Sequence, residues 1–274
     1  MKKIIIGLLL VLASSSTFAW NQVPPSAVAT CQSQSPYGFA QTQKQVVAIC
    51  RHAYVTAFDP SAKIPVWVAY TLQPANALGC VPRSNAFAAD ASTPASATPQ
   101  DYASSGYDKG HNAPDGDMSF DQQAEFESFL MTNMSPQAPS LNRGTWKLLE
   151  TSVRGWAVQI GHPFTVYAGN IYAPGDKTIG KGVVVPHALY KIVIDNTTGQ
   201  VAGWVFPHVA PYPNLGTDLT KYRVTIAQIQ QLTGVTFAFP ANAQELQPGK
   251  EWPVDFGKLT AAKKAKCGAN ADTD

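Results

Sequence analysis

The stretch LNRGTWKLLETSVRGWAVQI, Leu141–Ile160, decides the fold. Its apolar residues Trp146, Leu149, Val153, Trp156 and Ile160 step by 3, 4, 3 and 4, the spacing that gathers side chains on one face of a 3.6-residue helix. A helix from about Asn142 to Ile160 with one buried stripe is therefore expected. Asn142 lies one turn before Trp146 and extends that stripe. Glu150 and Arg154 follow on one flank, about 80° and 120° round from Asn142 at roughly 100° per residue. An amide oxygen is a hard donor suited to Mg²⁺, which sheds its waters reluctantly, and a nearby carboxylate can hold those waters. The plainer alternative is a helix cap at Asn142 and a Glu150–Arg154 pair worth about 0.3–0.5 kcal/mol.

Working outward, Gln45–Phe58 and Ile64–Leu72 are rich in Val, Ile, Tyr, Trp and Thr, with the turn formers Asp59, Pro60 and Ser61 between them. That pattern predicts a β-hairpin. Val81 to Gly106 is rich in Ala, Ser and Pro without a sustained period; it is expected to run as a long surface loop, residues 81–106. A short strand at Tyr107–His111 and a helix capped by Ser119 or Asp121, carrying Phe126, Phe129 and Leu130, come next. Beyond the long helix, Phe164–Ala168, Ala188–Asp195 and Val201–Phe206 read as strands, with a turn at Asn196–Gly199. Thr225 caps a helix through Leu232 that ends at Gly234, followed by a last strand Val235–Phe239. Strands and helices mix without βαβ alternation, so an α+β fold is expected, a mostly antiparallel central sheet flanked by helices.

The chain has 274 residues, 45% hydrophobic and 14% charged, which excludes a disordered charged tail protein. It opens MKKIIIGLLLVLASSSTFAW, two lysines before an apolar run and a small-residue stretch ending in Ala19, the layout of a cleavable secretory signal over residues 1–19. The run is too short to span a bilayer, so the mature chain, residues 20–274, is expected to be one exported domain, periplasmic or secreted, with no membrane partner. Without Lys2 and Lys3 the eighteen remaining Lys and Arg balance eighteen Asp and Glu. A polyanion would then have to be drawn by a local cluster of cations, not by a global field. Export makes Cys31, Cys50, Cys80 and Cys267 candidates for two disulfides. Three pairings are open, with Cys31–Cys50 and Cys80–Cys267 preferred; there is no CxxC.

Chemistry concentrates in DKGHNAPDGDM at Asp108–Met118, TNMSPQ at Thr132–Gln137 and LNRGTWKLLE at Leu141–Glu150. A lone histidine is more often packed or exposed than basic, and in PDGD the carboxylates of Asp115 and Asp117 are expected to fix a turn. His52, His162, His187 and His208 have no paired ligand spacing and are read as core or surface residues. Trp67, Tyr70, Trp146, Trp156 and Trp204 are read as core, and the terminal KLTAAKKAK as a solvated basic tail, with help in holding nucleic acid as the alternative.

Together, DKGH, TNMSPQ, LNRGTWKLLE with its following arginine, and the upstream CRHAY closely resemble the DNA/RNA non-specific endonucleases, the ββα-metal nucleases. Further similarity runs through TVYAGNIY, VPHALYKIVID and YRVTIAQIQQLTG, so it extends from about Gln45 to Phe239. The resemblance implies hydrolysis of phosphodiester bonds in DNA and RNA, leaving 5′-phosphate ends. It implies His111 as general base, Asn142 as the one protein ligand of a Mg²⁺ (Mn²⁺ also suits oxygen donors), and Glu150 as the acid orienting metal-bound waters. It implies Asn133 as an organiser of the histidine and metal region, and Arg51 and Arg154 as phosphate contacts. The family usually shows DRGH; here the second residue is Lys109. An ammonium keeps the charge but loses the planar fork that clamps two phosphate oxygens, so activity is expected to survive with altered substrate preference. Arg51, Lys109 and Arg154 would supply the local cations, and phosphate contacts of this kind read no base sequence. The rival expectation is an exported nucleic-acid or polyanion-binding protein with little or no turnover. Homodimerisation stays open, and no delivery domain or tail identifies a protein inhibitor.

Overall fold

A computed structural model describes residues 31–270; the expected leader, residues 1–19, lies outside them. The main elements in chain order are β1 (Val47–Cys50), β2 (Tyr54–Asp59), β3 (Ile64–Leu72), β4 (Asp108–His111), α1 (Asp115–Met118) and α2 (Gln122–Ser128). Next come β5 (Met134–Gln137), α3 (Lys147–Ile160), β6 (Phe164–Ile171), β7 (Ala188–Asp195), β8 (Gln200–Pro207), β9 (Arg223–Val224), α4 (Ile226–Thr233) and α5 (Phe256–Cys267). An eight-stranded sheet has the order β9-β8-β7-β6-β3-β2-β1, with Gln244–Glu245 added beside β8. Every pairing along that order is antiparallel; only Gln244–Glu245 runs parallel to its neighbour. The α+β fold expected from the sequence is the fold observed.

The period of two in a strand sends alternate residues to opposite faces, and here both faces are covered. Val68, Tyr70 and Leu72 of β3, Val166 and Ala168 of β6, Leu189 and Val193 of β7 and Trp204 of β8 pack toward α3, where Trp146, Leu149, Val153 and Trp156 meet them. Trp67 and Ala69, Tyr167, and Tyr190 and Ile192 point the other way, against Ile226 and Ile229 of α4 and against Phe39 and Ala40. The helical stripe read from the sequence is thus the seam between α3 and the sheet. The expected core aromatics are all buried, Tyr70, Trp146, Trp156 and Trp204 in that seam and Trp67 on the opposite face of the sheet. At roughly 3–5 kcal/mol for truncating a buried Trp, these residues dominate the packing energy.

Several expectations are corrected. Gln45–Phe58 is not one strand but β1 and β2, because the chain reverses at Arg51–Ala53, where Arg51 N–H donates to Tyr54 O at 2.8 Å. The long helix does not start at Asn142: Leu141–Trp146 forms a wider π-type turn and Gly144 leaves helical geometry (φ −108°, ψ −110°), so regular helix begins at Lys147. Asp121 caps α2 through Gln123 and Ala124 N–H, while Phe129 and Leu130 lie beyond it. Thr225 and Gly234 bound α4 as expected, but only Val235–Thr236 of the last strand pairs, with Gln41–Thr42. The basic tail is the helix α5. Both preferred disulfides, Cys31–Cys50 and Cys80–Cys267, are formed. Among the described residues no helix is long and apolar enough to cross a membrane.

Candidate active site

β4 pairs with β5 as a separate two-stranded ribbon, with His111 opposite Met134. A Cβ at Gly110 would stand 2.2 Å from the Gln137 side chain, so any other residue before His111 would have to displace that buried side chain. Asn133 staples the ribbon to the turn that follows: its Nδ2 donates to Ala113 O and Ser128 O at 2.8 and 2.7 Å, and its Oδ1 accepts from Ala113 N–H at 2.9 Å. The Trp146 indole N–H donates to His111 O at 3.1 Å, tying the ribbon to the start of α3. His111 is held from both sides and along its backbone.

The His111 ring lies edge-on to Phe129, with ring centres 4.9 Å apart, and 5.8 Å from Phe87. Its Nε2 is buried with no hydrogen-bond partner among the described residues. Burial among these rings lowers the imidazole pKa to about 4; nearby Asp115 opposes the shift and Arg83 adds to it. The ring is neutral at ordinary pH, the form in which an imidazole can accept a proton.

His111 borders a cleft of about 550 Å³ together with Asn142, Glu150, Lys109 and Arg154. Arg83, Arg143 and Lys147 add positive charge to its wall, and Asp108 and Asp115 add carboxylates. Asn142 neither caps a helix nor packs into the stripe: its Nδ2 donates to Asp108 at 2.9 Å, which leaves the amide oxygen as the end offered to a cation. Glu150 faces the buried Lys191 of β7 at 3.5 Å, while Arg154 donates to Asp117 at 2.9 Å and to Thr151 at 3.1 Å. Burial pushes the Glu150 carboxyl up to about 7, against the pull of Lys191 and Arg154 and with help from Asp117 and Asp115. Burial also lowers the Lys191 ammonium, which sits 4.3 Å above the Trp146 ring.

No group of three or more His, Cys, Asp or Glu among the described residues could hold a metal ion. The donor set at the cleft is instead one amide oxygen with a buried carboxyl close by, which fits a hard divalent cation that keeps most of its waters. Asn142 would hold the ion and Glu150 its waters.

The structure therefore brings His111, Lys109, Asn142, Glu150 and Arg154 to one cleft, with Asn133 buried beneath it. It does not bring Arg51 there. That guanidinium donates to Asp90 and to Ser92, at 2.7 Å for the latter, and fastens the loop 81–106 to the end of β1. Three partners were not read from the sequence. Arg83, in that loop, reaches the cleft wall and donates to Asp115. Lys191 alternates with Leu189 and Val193 on the α3 face of β7, so strand periodicity alone aims it inward. Asp117 does not merely fix a turn: it accepts from both Arg154 and Tyr70, the latter at 2.7 Å. The remaining histidines serve structure, as with His208, which accepts from Ala138 N–H at 2.7 Å.

Residues 34–244 match the model of the DNA/RNA non-specific endonuclease family. A nuclease of Nostoc sp. (strain PCC 7120) is 33% identical over 198 residues, 68% of this chain and 71% of that protein. The mitochondrial nuclease EXOG of Xenopus laevis is 30% identical over 221 residues, 74% of this chain but only 61% of its own length. The fold superposes on a chain of the crystal structure of the EndoG/EndoGI complex with a TM-score of 0.69 and 26% identity, covering 84% of this chain and 99% of that one. With its α+β sheet, its cation-walled cleft and a family match over most of its length, the chain belongs to the DNA/RNA non-specific endonucleases.

Proposed function

We propose that the protein is an exported, sugar-non-specific endonuclease that hydrolyses phosphodiester bonds of DNA and RNA at this cleft, with His111 as the base. The observation that carries the reading is His111, immobilised in its ribbon and lining a cleft walled by cations. The His111 imidazole takes the proton of the water that attacks phosphorus, and the imidazolium so formed is stabilised by the neighbouring Asp115 carboxylate. The phosphorus–oxygen bond to the 3′ oxygen breaks, leaving a 5′ phosphate. Lys109, Arg83 and Arg154 hold phosphate oxygens, Arg154 being fixed by Asp117 so that its position is set before substrate arrives. A divalent ion held by Asn142, Mg²⁺ or Mn²⁺, supplies Lewis-acid stabilisation of charge on the phosphate and the leaving oxygen. Asn133 acts through His111 by keeping its strand in place. Contacts to phosphate leave base sequence unread.

Export rests on the N-terminal layout MKKIIIGLLLVLASSSTFAW and on two disulfides, which suit an oxidising compartment. A retained scaffold that binds polyanions without turnover is the rival, favoured only by Lys109 in place of arginine. Turnover separates them: purified chain with Mg²⁺ should degrade both plasmid and RNA, and salt-sensitive binding without cleavage would favour the binder.

A further inference from the structure

We propose that the groove between the chain around Cys80 and helix α5 is a second nucleic-acid contact, an extension of the track that passes His111. The proposal rests on the nuclease reading for the identity of its ligand, and on three independent features for its place.

The first is charge. Between Phe256 and Cys267 stand Lys258, Lys263, Lys264 and Lys266 without one carboxylate, in a chain whose cations and anions nearly cancel. Asp255 caps the helix at its start through Lys258 N–H, and Asp272 and Asp274 lie outside the described residues. Only Leu259 of α5 is buried, so the helix is not there to complete the core. The second is anchorage. Cys267 is bonded to Cys80, and Lys266 Nζ donates to Ala75 O at 2.9 Å, so the C-terminal end of α5 is held against the body with Lys266 in place. Fixed charges bind a backbone at lower entropic cost than those on a loose tail.

The third is continuity. The groove is lined by Asn76, Phe120, Gln122 and Lys266, and its rim runs through Val81 and Pro82. The next residue, Arg83, is in the wall of the His111 cleft. On the other side Lys263 reaches Ser119, whose hydroxyl donates to Gly116 O, and Gly116 also lines the cleft. A strand leaving the scissile phosphate past Arg83 therefore meets Lys266 and the exposed edge of α5, with Phe120 on the groove wall for a base to stack on. Lysines without a base-reading partner make this a phosphate contact, sequence-blind like the cleft.

The test is equilibrium binding of the full chain, in chelator, to a duplex of about 30 base pairs and to a single strand of about six nucleotides. The variant Lys263→Gln/Lys266→Gln should bind the long duplex about 3–5-fold more weakly, with the salt slope of log K reduced by about 1–2, while the short strand is held as before. The matching Lys→Arg variant, which keeps charge, should restore the duplex affinity and so exclude a folding defect. Unchanged duplex affinity, or equal loss on both ligands, would overturn the proposal. Cleavage is scored separately: a wild-type chain that binds through these lysines yet never cuts would sink the nuclease reading and leave this contact standing.

Discussion

The buried His111 ties the stability of the fold to pH. The imidazole is buried with an unsatisfied Nε2, and its pKa lies near 4 in the fold against about 6.5 in an unfolded chain. Its share of the stability is therefore complete above pH 6.5 and is lost as pH falls towards 4, where the unfolded chain takes up a proton that the native state refuses; the loss reaches up to about 3 kcal/mol. Replacing His111 by Gln should flatten that dependence, so that the fall in Tm between pH 7 and 4.5 shrinks by about 5–10 °C. The same change should cost about 10²–10⁴-fold in kcat. Parallel acid melting of the two proteins would refute the burial account. Glu150 carries the opposite sign. Its carboxyl is raised to about 7, and a divalent ion favours the ionised form, so the acid limb of kcat/KM should move to lower pH as Mg²⁺ is increased. A limb fixed near 6.5 at all Mg²⁺ concentrations would point to an ordinary histidine instead. Lys109 lies 4.6 Å above the Phe87 ring in the same wall. Lys109→Arg should alter KM or the ratio of DNA to RNA turnover, and identical kinetics on both would remove any tuning role.

Among elements, the join that matters most is made by Asp117, which links α1 to α3 through Arg154 and to β3 through Tyr70. Arg154 and Asp117 are both buried and ion-paired, so Asp117→Ala should cost about 3–5 kcal/mol, read as a lower denaturant midpoint at unchanged slope. The stripe on α3 and the caps at Asp121, Thr225 and Gly234 were legible because their signals lie within one helical turn. The break at Gly144 was not, since the stripe before and after it keeps a helical step while the backbone does not. Asp117 looked like a turn residue because both its partners are remote, Tyr70 47 residues before it and Arg154 37 after it. Arg83 was hidden in an Ala, Ser and Pro-rich loop without a period, and what orients it is the folded wall itself. Arg51 shows the reverse: a motif residue legible in the sequence whose side chain the fold spends on Asp90 and Ser92.

For the whole molecule, one sheet carries α3 on one face and α4 on the other, and the ββα ribbon with its cleft rides on the α3 side. The disulfide Cys80–Cys267 closes 187 residues, and by chain entropy its removal should cost about 5 kcal/mol. Melting the Cys80→Ala/Cys267→Ala variant beside the oxidised parent checks this, and equal Tm values would show the bridge to be idle. Near-neutral net charge with a cationic cleft predicts affinity that falls steeply between low and high salt, and indifference to salt would argue against phosphate contacts. The claim on which the rest depends is that His111 and a divalent ion together cut nucleic acid without regard to the sugar. The most direct measurement is digestion of supercoiled plasmid and of total RNA by the mature chain, with Mg²⁺ and with chelator, beside His111→Ala. Loss of both substrates that needs the metal and the histidine is the predicted result. Plasmid and RNA left intact in Mg²⁺, or cut equally well by His111→Ala, would contradict it.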